Sequence, residues 1–104
     1  MHKGAVSEAK AIAWLLQEGY FVFQSCTVTG PVDLIAWKAD GETKLVDVKT
    51  CERSNDKRNG GAYGFHKLSP TQVAAGIVPL YVSVADNIIG WDASAFPEPI
   101  KKAP

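Results

Sequence analysis

The chain has 104 residues, which is enough for one compact domain and too few for two. Its hydrophobic fraction of 46% is ordinary for a globular protein and excludes a chain that is disordered throughout. Lysine plus arginine and aspartate plus glutamate both number 11, so the formal net charge is zero, which argues against nucleic-acid binding through bulk positive charge alone.

The first half of the chain predicts a helix followed by three strands. Apolar residues recur at three- and four-residue spacing over residues 3–18, which predicts an amphipathic helix, and Gly19 is placed to end it. Strands are predicted over residues 20–24, 32–38 and 44–50. Asp40-Gly41 predicts that the last two form an antiparallel hairpin.

The second half begins with a long polar segment, residues 52–67, and such segments in small domains are usually functional or disordered. Ser69-Pro70 predicts the start of a short helix over residues 70–75. Two further strands are expected over 79–84 and 88–92, joined by a turn at Asp86-Asn87. We therefore expect the order α-β-β-β-α-β-β, with one domain over residues 1–95 and a flexible tail over 96–104.

Charged residues stand where these strands should be apolar. Side chains alternate along a strand, so Asp47 and Lys49 share a face with Leu45, and Asp33 shares one with Ile35 and Trp37. If the two strands pair as a hairpin, the carboxyl groups of Asp33 and Asp47 can lie close together.

Glu8 is a third acid of this kind, because it borders the apolar stripe of the first helix. Neither Gly4 nor Ile12, four residues away on either side, offers it a basic partner. Taken one at a time, each of these charges is compatible with a solvated surface position, and only the set in this order argues otherwise.

The electrostatic repulsion between clustered carboxylates has to be offset by a positive charge. Two of them about 4 Å apart repel by roughly 4 kcal/mol at an effective dielectric constant near 20, a large part of a small domain's stability. A divalent cation supplies that compensation, and carboxylate oxygens suit Mg²⁺, with Mn²⁺ as a substitute. Lys49 would add a positive charge that orients an attacking water or stabilises charge on a phosphate.

A glutamate in the first helix, then Gly30-Pro31-Val32-Asp33-Leu34-Ile35-Ala36, then Val46-Asp47-Val48-Lys49-Thr50, resembles the PD-(D/E)XK nuclease superfamily. Within it, the first run is most similar to the archaeal-type Holliday junction resolvases. The first acid follows Pro-Val here instead of standing directly after the proline.

The resemblance implies a restriction-endonuclease-like core, with a mixed central sheet flanked by helices. It also implies metal ligation by Asp33, Asp47 and the backbone carbonyl of Val48, with Lys49 at the water and Glu8 completing the acidic cluster. The expected enzyme is a Mg²⁺-dependent endodeoxyribonuclease with catalytic residues Glu8, Asp33, Asp47 and Lys49.

Candidate DNA contacts lie in or near the long polar segment. They comprise Arg53, Lys57, Arg58 and Lys67, together with Gln72, which sits where relatives often carry a glutamine near the site. Tyr63 and Phe65 are available to stack on DNA or wedge into it. A solvated loop of mixed charge is the alternative, since Glu52 and Asp56 dilute the positive charge.

Other functions remain open at this stage. A homing, mismatch-repair or restriction-type nuclease could use the same core, and so could a non-catalytic nucleic-acid-binding module. A small globular protein unrelated to DNA would bind no metal. We expect branched DNA as a substrate, because no helix-turn-helix or zinc-finger pattern supports base-specific recognition.

Assembly and location follow from size and composition. A domain this small buries only part of its surface, which favours a homodimer. No apolar run approaches the roughly 20 residues needed to span a bilayer, and no signal peptide is recognisable. Cys26 and Cys51 lack metal-ligand spacing and are expected to be reduced thiols. These features predict a cytoplasmic protein, either microbial or viral and acting in a host cell.

Overall fold

The computed structural model describes residues 3–27, 30–54 and 61–98. Within these residues the predicted fold class and the order α-β-β-β-α-β-β are confirmed. The helices are α1 (Lys3–Gln17) and α2 (Pro70–Ala74), and a single turn of 3-10 helix covers Ala93–Ala95. The strands are β1 (Phe21–Gln24), β2 (Leu34–Trp37), β3 (Thr43–Thr50), β4 (Ile77–Ser83) and β5 (Ile88–Gly90).

The five strands form one mixed sheet in which spatial order follows chain order, β1-β2-β3-β4-β5. Strands β3 and β4 are parallel, and every other neighbouring pair is antiparallel. The parallel pair is joined by the connection that contains α2, as parallel strands require a crossover. In the β2–β3 hairpin, Leu34 lies opposite Val46 and Ile35 opposite Leu45.

Local sequence signals place the ends of these elements. Gly19, with a φ of +92°, follows the last turn of α1, and the Tyr20 N–H returns to the Leu15 carbonyl at 3.0 Å. Gly41, with a φ of +99°, takes the left-handed position in the β2–β3 hairpin. The Ser69 hydroxyl accepts a hydrogen bond from the Gln72 N–H and so caps α2.

Helix α1 covers one face of the sheet and forms the main core with it. The buried members of this core are apolar residues from α1, the start of β1 and the three central strands: Ala11, Leu15, Tyr20, Leu34, Ala36, Val46, Leu80 and Val82. Because strand side chains alternate, the residues next to these in sequence, including Asp47 and Lys49, point to the other face. The helix therefore packs on the side of the sheet away from Asp47 and Lys49.

A second cluster covers the β3–β4 half of the other face. It contains Cys51, Tyr63, Tyr81 and Phe96, with Phe65 packed against it. Tyr63 was expected to be available to DNA, and that expectation is wrong because its ring is buried against Phe96, at 5.1 Å between centroids. Phe65 also packs against Phe96, at 5.3 Å, but is only partly buried. Phe96, expected to begin the tail, is likewise buried.

Both cysteines are free, Cys26 exposed and Cys51 buried. Burial raises the pKa of the Cys51 thiol to about 11, so this thiol is protonated at neutral pH. Neither helix in the described part of the chain is both long and apolar enough to cross a membrane.

Two leucines give a matched test of this core. Leu80 in β4 is fully buried, whereas Leu16 in α1 is 55% exposed. We expect Leu80→Ala to lower the free energy of unfolding by about 2–5 kcal/mol, because it leaves a cavity between α1 and the sheet. Leu16→Ala should change it by less than about 0.5 kcal/mol. Urea unfolding measures both, and equal effects would contradict the assigned packing.

Candidate active site

Asp33 and Asp47 are neighbours across the β2–β3 hairpin. Leu34 pairs with Val46, so one step further along the two strands Asp33 comes to lie opposite Asp47. The pairing continues through this step, since the Asp33 N–H donates to the Val46 carbonyl at 2.9 Å. The register therefore brings two carboxyl groups together, as the predicted hairpin requires.

The Asp33 carboxyl is half-buried and is hydrogen-bonded to the backbone of the neighbouring strand β3. Its Oδ2 accepts a hydrogen bond of 2.7 Å from the Val48 N–H. Burial raises the pKa of Asp33, the Val48 N–H offsets part of that rise, and the negative charges of Asp47 and Glu8 add to it. Asp33 therefore carries its negative charge at a cost that a cation would relieve.

Asp47 is 7% exposed, the most buried of the candidate site residues. Lys49 Nζ lies 3.0 Å from Asp47 Oδ2, which makes an ion pair. Apart from this ion pair, Oδ2 has no hydrogen-bond partner among the described residues. A buried, unsatisfied carboxylate oxygen calls for an explanation, and a bound cation is one.

The arrangement fits a hard divalent cation. Two carboxylates side by side offer negative oxygens of the kind that Mg²⁺ binds, and one of them, Asp47 Oδ2, is buried and held by an ion pair alone. The expected three-acid cluster, however, is not assembled: the described residues contain no group of three or more His, Cys, Asp or Glu placed to hold one metal ion. The candidate site has a two-carboxylate centre.

Glu8 stands apart from that centre because it belongs to α1, on the other side of the sheet. Its Oε1 accepts a hydrogen bond of 2.9 Å from Gln24 Nε2 at the end of β1. It remains close enough to Asp33 for its charge to raise the pKa of that carboxyl. Glu8 thus contributes charge to the site, and Gln24 holds it in place.

Two further contacts fix the surroundings of the acid pair. The hydroxyls of Ser7 and Thr50 share a hydrogen bond of 2.6 Å, which ties α1 to the end of β3 beside Lys49. Sequence reasoning missed Ser7, Gln24 and Thr50. The available signal was weak, because single polar residues at element ends are common and their partners lie 16 and 43 residues away.

Gln72, expected to contact DNA, instead makes hydrogen bonds within the chain. Its Nε2 donates to the Pro31 carbonyl at 3.0 Å, and its Oε1 accepts from the Ser69 N–H at 3.1 Å. Both ends of the amide are therefore engaged. Gln72 therefore braces the turn that precedes Asp33, and its amide is not free to contact DNA as expected.

Arg53, also expected to contact DNA, forms a clamp with Tyr63 and Asp86. Its Nε lies 3.2 Å from both the Tyr63 hydroxyl and Asp86 Oδ2, and the Tyr63 hydroxyl also donates to Asp86. The charge of Arg53 is thus paired within the chain. Lys67 is exposed, while Lys57 and Arg58 lie outside the described residues.

A small cavity of about 180 Å³ opens beside Asp33. Its walls come from the end of β1 and the start of β2, and they are formed by Phe23, Gln24, Ser25, Val32, Asp33, Leu34 and Ile35. The cavity gives solvent or a ligand an approach to the acid pair from the β1 side.

The raised pKa of Asp33 gives a direct test of the paired carboxyls. In the metal-free protein, we expect Asp47→Asn to lower the pKa of Asp33, because it removes a neighbouring negative charge. Carboxyl chemical shifts in an NMR titration measure this. Glu42→Gln, in the hairpin turn at the far end of β2 and β3, is the control and should leave Asp33 unchanged. An Asp33 carboxyl that ignores Asp47→Asn would show that the two groups do not interact.

The raised pKa of Asp33 also sets the direction in which the free energy of unfolding changes with pH. The folded protein binds the Asp33 proton more tightly than the unfolded chain does. The free energy of unfolding of the wild type should therefore fall, relative to Asp33→Asn, as pH rises from the unfolded-state pKa through the raised one.

Comparison with known proteins adds evidence on the fold. No protein-family model matches the chain, and no curated protein matches it. The solved structure of a bacterial homing endonuclease, I-Ssp6803I, is similar to it with a TM-score of 0.65 at 18% sequence identity. The match covers 84% of this chain and 64% of that one, so the chain spans less than two thirds of the endonuclease. At this identity the likeness establishes a shared fold.

Proposed function

We propose that this protein is a metal-dependent DNA endonuclease that hydrolyses phosphodiester bonds. The observation that carries the proposal is the Asp33–Asp47 pair, with a buried oxygen that lacks a donor and a lysine ammonium 3.0 Å from it. The fold shared with a homing endonuclease supports it. Lys49 offsets part of the repulsion between the two carboxylates, and a bound cation would offset more of it.

Asp33, Asp47 and the backbone carbonyl of Val48 would hold the cation, and Mg²⁺ is the ion that these oxygens suit, with Mn²⁺ as substitute. When bound, such an ion supplies Lewis-acid chemistry, polarising a phosphate and favouring ionisation of water. Lys49 would place its ammonium beside the reacting phosphate and stabilise the negative charge that develops there. The Glu8 carboxylate, kept in position by its hydrogen bond from Gln24, would act as a proton acceptor near the site.

Two substrate classes fit this core. The run from Gly30 to Ala36 resembles that of Holliday junction resolvases, which favours branched DNA and a homodimer that cuts two strands. The structural likeness to a homing endonuclease favours a second candidate, a nuclease for a particular duplex sequence. The structural match covers 64% of that endonuclease, so its duplex substrate is the second proposal here and branched DNA is the first.

Substitutions at the acid pair test the activity. We expect Asp47→Asn and Lys49→Ala each to lower the rate of Mg²⁺-dependent cleavage by roughly 100-fold or more, because they remove a metal ligand and a charge that stabilises the transition state. A chelator should abolish wild-type cleavage. Single-turnover cleavage of labelled DNA measures these rates.

Matched controls come from the same hairpin. Lys44 also lies on β3 but faces the opposite side, where its ammonium is 5.2 Å from the centre of the Trp91 ring. Asp40 lies in the turn and accepts a hydrogen bond from the Glu42 N–H. Lys44→Ala and Asp40→Asn should cleave at close to the wild-type rate. DNA binding without cleavage in Mg²⁺ or Mn²⁺ would instead favour a non-catalytic binding module.

A substrate panel separates the two classes. Four-way junctions, flaps, mismatched duplexes and linear duplexes of unrelated sequence are compared at equal concentration and at a fixed ionic strength, since salt alters all DNA affinities. We expect junctions to be cut faster than linear duplexes of the same arms. Cleavage confined to one duplex sequence would reject the resolvase proposal in favour of the homing type.

A further inference from the structure

One part of the sheet presents large apolar side chains to solvent. Phe21 and Phe23 in β1 are 56% and 57% exposed, and Ile35 and Trp37 in β2 are each 38% exposed. We refer to these four residues as the exposed apolar face. It contains every exposed aromatic residue in the described part of the chain.

The exposed apolar face is continuous with the candidate active site. Phe21 lies opposite Trp37, and Phe23 lies opposite Ile35. Directly opposed residues of antiparallel strands point to the same side of the sheet. Asp33 stands two residues before Ile35, so it points to that side as well, about 7 Å further along the strand. The rings and the acid pair are therefore neighbours on one surface.

The cavity of about 180 Å³ beside Asp33 connects this face to the site. Phe23 and Ile35 form one part of its wall, and Asp33 forms another. Gln24 and Ser25 add polar groups to a lining that is otherwise largely apolar. Ligand pockets combine apolar walls with a few polar groups in this way. A protein layer over the face would close the cavity, so the substrate of the site is the occupant that fits this surface.

We propose that the exposed apolar face and this cavity bind the unpaired bases of a DNA strand whose phosphate lies at the acid pair. This inference rests on the proposed function and narrows its substrate to DNA with unpaired nucleotides beside the cut. Aromatic side chains bind single strands by stacking on base faces, a contact that needs no charge on the ring. Phe23, in the row nearer the acid pair, and Phe21 with Trp37 in the next row offer such rings to successive nucleotides.

The chemistry of the face argues against a fully paired duplex as its occupant. In a duplex each base face is covered by the next base, so a protein meets base edges, sugars and phosphates. Phosphates are bound mainly by cationic side chains, and the four residues of the face carry no charge. Positive charge is found instead at the acid pair, where Lys49 lies. The surface thus offers a phosphate site at one end and rings for bases beyond it.

This arrangement ranks the branched substrates. Unpairing a base costs least where pairing is already interrupted, as at a flap, a fork or a mismatch. Such DNA delivers base faces to Phe23 and Trp37 without the cost of opening a duplex. Among branched molecules, we therefore expect those with unpaired nucleotides to bind tightest.

Fluorescence anisotropy of labelled DNA with the full chain tests the proposal, in EDTA so that no metal-dependent cleavage takes place. The probes are a fork with two single-stranded arms, the same fork with abasic arms, and a blunt duplex, at one ionic strength. We expect Phe23→Leu and Trp37→Leu each to raise the dissociation constant for the fork by about tenfold, the effect of losing one stacked base. Both variants should bind the abasic fork and the duplex as the wild type does.

Leucine keeps an apolar side chain at each position, and circular dichroism checks that both variants are folded. Leu16→Ala is the matched control, because Leu16 is as exposed as Phe21 but lies on α1. It should leave the dissociation constant for the fork unchanged.

Several results would overturn the proposal. They are a wild type that binds the fork no better than the duplex, ring variants that bind the fork as tightly as the wild type, and an equal loss on the abasic fork. An oligomer that Trp37→Leu dissociates in sedimentation equilibrium without DNA would also overturn it, because a second copy would then cover the face.

Cleavage in Mg²⁺ is measured separately, so that the two proposals fail in different ways. A wild type that shows the expected base-dependent binding but cuts no DNA would support the base site and reject the nuclease. Cleavage that depends on Asp47 while the ring variants bind the fork normally would reject the base site and support the nuclease.

Discussion

The pairing of β2 with β3 decides what each face of the sheet carries. With Leu34 opposite Val46, both side chains enter the core under α1, while Asp33 and Asp47 meet on the other side. A slip of one residue would turn one of these acids into the core and leave a leucine or valine in its place. The hairpin that prevents the slip is short, closed by the Lys38 N–H to Glu42 carbonyl bond of 2.8 Å. One turn therefore fixes both the core and the site.

The acid pair is held by contacts that each come from a different element. The Ser7–Thr50 hydrogen bond attaches the long helix to the strand of Lys49, and Gln72 attaches the short helix to the turn before Asp33. These are bonds between polar groups at the ends of elements, where the main core does not reach. The apolar core supplies the stability of the domain, and the polar contacts fix the positions of the charged groups.

The sequence was most informative where chemistry is local. The Asp-Gly pair, the Ser-Pro start of α2 and Gly19 predicted turns and helix ends correctly, since each acts through its own backbone. The proximity of Asp33 and Asp47 was predicted from the alternation of strand side chains and from one hairpin turn. The burial of Tyr63 and Phe96 was not predicted because they lie in irregular segments, where no periodicity marks a buried side. The contacts of Gln72 and Arg53 were not predicted, because their partners Pro31 and Asp86 lie 41 and 33 residues away in sequence.

The clamp of Arg53, Tyr63 and Asp86 has a consequence for how the chain can vary. The Ser54 N–H also donates to the Ala62 carbonyl at 2.8 Å, so both ends of the segment over residues 55–60 are anchored at one point, and that point is attached to the β4–β5 turn. Lengthening a connection whose ends are already fixed costs little conformational entropy. A change in the length of this connection is therefore not expected to move Lys49, which lies upstream of the clamp.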